Sequence, residues 1–241
     1  MKTLGLALIG TGYMGKAHAL AYRAARAVFG DLPEVRLAWL CDQTDDLARK
    51  MADQFGFQNA TTDWRAMVCA PDVDIVSITS PNAFHYDMAL AAIEAGDAIT
   101  AISICGMGGE RIRDILDSGK ARLTGQERLI LQPNGGEQPL RQWLMDNGYR
   151  ILSEEVLREN RFAYEIIVAE RSGPVTYSAE ELYFGPLQMQ ARSPAFLAKW
   201  QRLLRLKQQT LVDFAQARQT VPEAKVQQLT QQTQWIMALL A

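Results

Sequence analysis

The chain has 241 residues, 48% of them hydrophobic and 22% charged, with a formal net charge of −2; it is long enough to bury a core and is not basic overall. Its three cysteines (Cys41, Cys69, Cys105) and two histidines (His18, His85) argue against a disulfide framework, a C-x-x-C motif or a histidine-rich metal site. The first residues read as a strand rather than a signal peptide and no run approaches a membrane span, so a cytoplasmic protein with no membrane or metal partner is expected.

Leu4 to Ile9 is an almost continuous apolar run ending at Gly10-Thr11-Gly12, the pattern of a buried parallel strand entering a turn. A helix over 14–29, a strand over 35–41 ending at Asp42, and a helix over 45–55 closed by Gly56 follow. A strand over 75–79 and a helix over 86–94, ended by Gly96, continue the alternation, which predicts a doubly wound parallel sheet. Next come a strand over 102–105, a helix to 116, a strand over 128–132 and a helix over 139–147. Two strands, 149–159 and 163–170, joined around Asn160, predict an antiparallel hairpin at one sheet edge. From Ser193 the spacing becomes helical through Phe196, Trp200, Leu203, Leu211 and Phe214. It resumes after Pro222 through Val226, Leu229, Thr233, Ile236 and Leu240, predicting an antiparallel helical hairpin that breaks near 220–222.

Gly10-Thr11-Gly12-Tyr13-Met14-Gly15 fits G-x-G-x-x-G in its demanding context, after a strand and opening a helix. Gly10 permits the turn, Gly12 admits a pyrophosphate to the backbone, and Gly15 lets helix and strand approach. The pyrophosphate would rest on the helix N-terminus, where unpaired N–H groups favour an anion. Asp42 stands where a carboxylate accepts both ribose hydroxyls and repels a 2′-phosphate, which selects NAD over NADP. A glycine turn kept only for packing is the competing reading.

Residues 1–96 resemble the cofactor domain of the glucose–fructose oxidoreductase / inositol dehydrogenase family. The resemblance lies in ALIGTGYMGKAHALAY, the strand ending LCD, and ITSPNAFHYDMALAAIEAG. It implies that Gly10, Gly12, Tyr13, Met14, Gly15 and Asp42 hold NAD, while Ser80, Pro81, Asn82 and His85 line the nicotinamide side. Taken alone, His85 is a helix-start residue that caps or packs locally. The family's Glu-Lys-Pro motif is missing from this sequence, and the next lysine, Lys120, lies beyond another helix. Hydride transfer to an alcohol needs a proton acceptor within hydrogen-bond reach, so sugar dehydrogenation is not expected, and no catalytic residue is assigned.

From Asp97 to the end the chain resembles another family, the bacterial tRNA adenine-N1-methyltransferases that use S-adenosylmethionine. The segments are ISICGMGGERIRDIL, RLILQPNGGEQPLRQWLMDNGYRILSEE, YEIIVAE, and FGPL followed by SPAFLAKWQ. By that resemblance Gly106, Met107, Gly108, Gly109, Gln132, Pro133 and Asn134 face a methyl-transfer cleft, and the hairpin assists tRNA binding. Arg192, Lys199, Arg202, Arg205 and Lys207 fall in a stretch without acidic residues that can contact phosphates. A solvated basic helix whose arginine stems cover apolar surface fits the same residues. The part of that family that holds S-adenosylmethionine would precede Asp97, where the oxidoreductase-like segment stands instead.

The two resemblances meet near Glu94–Asp97 inside one alternating pattern, with no polar or Gly/Pro-rich connector. This predicts a chimera of two Rossmann-like fragments, engineered or a natural recombinant. The expected architecture is α/β: a doubly wound, mostly parallel Rossmann-like sheet with an edge β-hairpin over 1–177, plus a C-terminal antiparallel helical hairpin over 178–241. One continuous sheet is expected, ordered 3-2-1-4 and extended by the strand over 102–105 beside that over 75–79, because neither fragment has enough predicted strands to close its own core. Three functional expectations follow: NAD binding without turnover, S-adenosylmethionine-dependent tRNA methylation, or a scaffold that binds neither. The oligomeric state is not readable from the residues.

Overall fold

The computed structural model describes residues 3–95, 100–159, 162–217 and 221–241. The chain divides into two compact units, Met1–Ile99 and Thr100–Ala241. The turns expected at Asn160 and Thr220, and the expected seam at Gly96 and Asp97, lie outside the described residues.

The first unit runs β1 (Leu4–Ile9), α1 (Tyr13–Phe29), β2 (Val35–Cys41), α2 (Asp45–Phe55), β3 (Asn59–Thr61), α3 (Trp64–Val68), β4 (Ile75–Ile78) and α4 (His85–Ala95). Its sheet is ordered β3-β2-β1-β4, and every pair is parallel. That is the expected order 3-2-1-4, although the sequence offered no residues for strand 3. Side chains alternate across a strand, so β1 builds two cores. Leu6 and Leu8 pack with Leu37, Leu40, Met51 and Phe55, while Ala7 and Ile9 pack with Met67, Val68 and Met88. Burial on both faces is why the β1 run is apolar throughout. Local signals set the helix ends. Thr44 accepts from the Leu47 N–H at 3.3 Å to start α2, and Gly56, at φ 81°, closes it in the left-handed region.

The second unit runs β5 (Ala101–Met107), α5 (Gly109–Ser118), β6 (Arg128–Pro133), α6 (Glu137–Asp146), β7 (Tyr149–Glu159), β8 (Phe162–Arg171), α7 (Ala179–Phe184), α8 (Pro186–Ala191), α9 (Pro194–Ala215) and α10 (Glu223–Leu240). Its mixed sheet is ordered β5-β6-β8-β7. β5 and β6 are parallel, β8 is antiparallel to β6, and β7–β8 is the edge hairpin the sequence predicted. One core joins Ile112, Leu116, Leu129, Leu131, Leu140, Trp143 and Ile167. Another joins Phe184, Phe196, Trp200, Ile236 and Leu239 with Val156 of β7, seating the α9–α10 hairpin on that strand. Lys207 of α9 donates to Gln232 of α10 at 2.7 Å, and the Lys225 ammonium stands 5.3 Å from the Phe214 ring, as an antiparallel hairpin requires.

One expectation is corrected. Among the described residues the strands form two four-stranded sheets rather than one continuous sheet. The physical reason is that each unit closes its own core. β3 and β6–β8 complete the two sheets around separate apolar clusters.

Candidate functional site

In the first unit, Gly10 follows β1, Asp42 follows β2, and Thr79 and Ser80 follow β4, so all stand at the carboxyl ends of neighbouring parallel strands. Ligands of open α/β sheets bind at such an edge. Gly10 has φ +90°, a conformation that L side chains rarely adopt, and a Cβ there would lie 3.0 Å from the Ser80 nitrogen. A Cβ on Gly15 would lie 2.0 Å from the Gly10 carbonyl oxygen, so only glycine lets α1 approach the turn. Gly12 differs: its φ is −61°, and a Cβ there would meet nothing within 4 Å. It caps α1 without a side-chain hydrogen bond, leaving the first-turn N–H groups of the helix on open ground. Tyr13 is 87% exposed and Met14 53%, so neither side chain fills that ground from the core side.

Asp42 is half-buried and held in place. Its Oδ2 accepts from the Thr11 N–H at 2.8 Å and from the Thr11 hydroxyl, and its Oδ1 accepts from the Gln43 N–H at 2.7 Å. Thr11 therefore ties the carboxylate to the glycine turn, a role that its place between two glycines did not single out. Thr79 was also missed: its hydroxyl reaches both the Ile9 (3.0 Å) and Gly10 (2.7 Å) carbonyls and braces the turn from β4. His85 Nε2 lies 2.6 Å from the Ser80 carbonyl and donates to it, while the Ser80 hydroxyl donates to Met88 Sδ at 3.3 Å. With the Phe84 N–H on the Pro81 carbonyl at 3.0 Å, these bonds close the 80–85 segment locally. The backbone of Asn82 lies in a 3₁₀ turn over Asn82–Phe84, and its side chain lies outside what is described. Beneath the loop, His18 Nδ1 is 3.0 Å from the Ser77 hydroxyl, and burial lowers the His18 pKa from 6.5.

The residues present fit a dinucleotide at this loop. The backbone is open at Gly12, the close approach at Gly15 is kept, and a carboxylate is fixed beside the turn. S-adenosylmethionine, which has no diphosphate, makes less use of that spacing but shares the ribose hydroxyls that Asp42 would accept.

In the second unit the two glycine-bearing loops interlock at the carboxyl ends of β5 and β6. The Gly106 N–H donates to Gln132 Oε1 at 2.9 Å, the Asn134 N–H to the Met107 carbonyl at 2.7 Å, and the Gly109 N–H to the Gly135 carbonyl at 2.7 Å. The Gln132 side-chain amide reaches the Pro133 carbonyl and Asn134 Oδ1, both at 3.1 Å. A Cβ on Gly109 would lie 2.0 Å from the Gly136 carbonyl oxygen. Gly135 and Gly136 take φ +110° and +75°; the Gly-Gly pair directly after Gln-Pro-Asn marks this clasp in the sequence and was not singled out there. Thus Gly106, Met107, Gly108, Gly109, Gln132, Pro133 and Asn134 come together.

The basic set does not stay together. Arg192, Arg202 and Arg205 are exposed, and Arg192 takes the left-handed conformation at φ 45°. Lys199 turns inward, is only 12% exposed, and pairs with Glu137 at 2.9 Å and with Glu165. Its assignment as an RNA-facing residue is therefore corrected: two carboxylates already neutralise the ammonium. Lys207 is half-buried, donates to Gln232, and has its pKa lowered by burial. Behind Lys199, the fully buried Arg141 bridges Glu154 (2.7 Å) and Glu165 (2.6 Å). Burial alone would raise the Glu165 pKa, but the charges of Arg141 and Lys199 hold it below 4.5. For Glu154 burial prevails and the pKa rises.

Among the described residues no group of three or more His, Cys, Asp or Glu is placed to hold a metal ion, and no helix is long and apolar enough to cross a membrane.

Two family profiles match the chain. That of tRNA (adenine(22)-N(1))-methyltransferase covers residues 85–237, and that of the oxidoreductase family with an NAD-binding Rossmann fold covers residues 4–101. Levoglucosan dehydrogenase of Pseudarthrobacter phenanthrenivorans is 38% identical over 50% of this chain and 31% of its own length. The tRNA (adenine(22)-N(1))-methyltransferase of Bacillus subtilis is 39% identical over 54% of this chain and 57% of its own length. The chain thus spans less than two thirds of either relative. Among solved structures, the Bacillus subtilis tRNA methyltransferase superposes with a TM-score of 0.66 at 26% identity, over 98% of this chain and 92% of that one. A candidate tRNA methyltransferase from Streptococcus pneumoniae, in complex with S-adenosyl-L-methionine, superposes with a TM-score of 0.65 at 28% identity, over 99% and 94%.

Proposed function

The chain belongs to the tRNA (adenine(22)-N(1))-methyltransferase family, whose profile covers residues 85–237, and we propose that its amino-terminal unit is a joined oxidoreductase-type fragment that binds NAD. The glycine turn carries this reading. Gly15 is held to glycine by a backbone oxygen 2.0 Å from where a Cβ would stand, while Gly12 faces open space that the fold itself does not use. The first turn of α1 would hold the pyrophosphate, and Asp42, anchored by Thr11, would accept the ribose hydroxyls. When bound, NAD supplies a nicotinamide that accepts hydride. No Glu-Lys-Pro lysine accompanies it in this sequence, and His85 is engaged with Ser80, so binding without sugar oxidation is the expected behaviour. The join, engineered or recombined, falls near Glu94–Asp97.

A second reading is S-adenosylmethionine-dependent methylation of adenine in tRNA. It is supported by the interlocked Gly106–Gly109 and Gln132–Asn134 loops and by the likeness to the Streptococcus pneumoniae structure. NADH fluorescence titration, repeated with excess S-adenosylmethionine, separates the two. Saturable NADH binding that S-adenosylmethionine leaves unchanged is expected. Incorporation of labelled methyl groups into unmodified tRNA, with no NADH binding, would reverse the order of the readings.

A further inference from the structure

A second concave site lies wholly within the Thr100–Ala241 unit, far from its glycine loops. Tyr149 opens β7 and Arg171 closes β8, and the two are cross-strand partners. β8 runs antiparallel to β6, with Ala169 opposite Leu129 at the start of β6. Arg171 therefore stands at the end of the sheet opposite Gln132–Asn134. A depression of about 540 Å³ opens there, lined by Lys120, Asp146, Asn147, Arg171 and Thr176 among others. That volume is in the range of small-molecule sites. A recess of about 10 Å³, room for one small polar group, shares Lys120, Asn147 and Arg171 with it and reaches Trp143 and Tyr149.

The recess is polar where its walls leave hydrogen-bonding capacity unused. The Tyr149 hydroxyl and Asn147 Oδ1 are buried and have no hydrogen-bond partner among the described residues, and Tyr149 as a whole is only 2% exposed. Neither is free to turn away. The Tyr149 ring stacks on Trp143 with centroids 5.8 Å apart, and the Asn147 amide donates to the Trp143 carbonyl at 2.8 Å. Buried polar atoms are ordinarily satisfied, so two orphans on residues that line one recess point to a missing partner. At the mouth, the exposed Lys120 and Arg171 carry no ion pair among the described residues.

We infer that this site binds a small phosphomonoester bearing its own hydrogen-bond donor. Lys120 and Arg171 supply two positive charges for a dianion, and the Tyr149 O–H donates to the ligand. Asn147 Oδ1 can only accept, and Asp146 adds negative charge to the rim, so a bare anion is disfavoured and a ligand with hydroxyl or N–H groups is favoured.

The test is calorimetric titration of the full chain with uridine 5′-monophosphate, and separately with inorganic phosphate and with uridine. Variants Lys120→Ala, Arg171→Ala and Tyr149→Phe are measured alongside, with thermal melts as the control for folding. Saturable nucleotide binding is expected, weakened about tenfold or more by loss of either cation and less by Tyr149→Phe, with melting unchanged. Inorganic phosphate should bind more weakly than the nucleotide. No saturation at millimolar nucleotide overturns the inference and leaves the recess holding a bridging water. Affinity unchanged in all three variants, or phosphate binding as tight as the nucleotide, overturns it equally.

Discussion

Gly12 and Gly15 sit three residues apart in one turn and answer to different constraints, which makes them separable by substitution. Gly15→Ala drives a methyl into the Gly10 backbone oxygen, which belongs to the turn and has nowhere to go. It is expected to lower the melting temperature and abolish NAD binding together. Gly12→Ala places its methyl in open space with an ordinary backbone conformation. It is expected to melt like the parent while losing NADH affinity by about tenfold or more, since a methyl there stands where a pyrophosphate would approach. Unchanged NADH affinity in Gly12→Ala would mean that the loop is kept for packing alone. The same contrast explains what could be read in advance. The motif was legible because its three glycines keep a fixed spacing within one turn, whereas Thr11 and Thr79 act through contacts 31 and 69 residues away and were not.

At the scale of elements, the alternation of strand and helix segments announced β1, β2 and β4–β8, and helical spacing announced the hairpin. The short pieces were silent: β3 has three residues, α3 five, and α7 and α8 six each, too few for either periodicity to register. Lys199 looked like one of a basic series on α9, but its partners Glu137 and Glu165 lie 62 and 34 residues away, beyond any local pattern. It braces α9 against the sheet and against Glu137, which follows the Gly135–Gly136 clasp. Lys199→Met is therefore expected to lower stability while leaving the salt dependence of any tRNA binding unchanged. Arg205→Gln is expected to do the reverse, lowering the slope of log affinity against log salt by about one. Equal salt slopes in the two variants would contradict this division. Arg141 is the sharper case. Arg141→Met leaves Glu154 and Glu165 buried without their main counter-charge, and a loss of about 3–5 kcal/mol is expected in denaturant unfolding.

For the whole molecule, burial of a titratable group sets a pH dependence at His18. Burial lowers its folded pKa beneath 6.5, so below pH 6.5 the unfolded chain takes up a proton that the folded chain resists. Stability from this group is then present above pH 6.5 and lost as pH falls through the folded value. His18→Gln is expected to flatten that part of a melting-temperature profile, and an unaltered slope would assign it elsewhere. The two-part character was legible because the segments before and after Glu94–Asp97 resemble two different families. The separation into two sheets was not, because it depends on each unit completing a core with strands as short as β3. The composite reading rests on the first unit still taking a dinucleotide, and a crystal of the full chain grown with NAD tests that most directly. The pyrophosphate is expected on the first turn of α1 beside Gly12, with a ribose on the Asp42 carboxylate; clear density for S-adenosylmethionine there under competition, or a bare loop at saturating NAD, would contradict it.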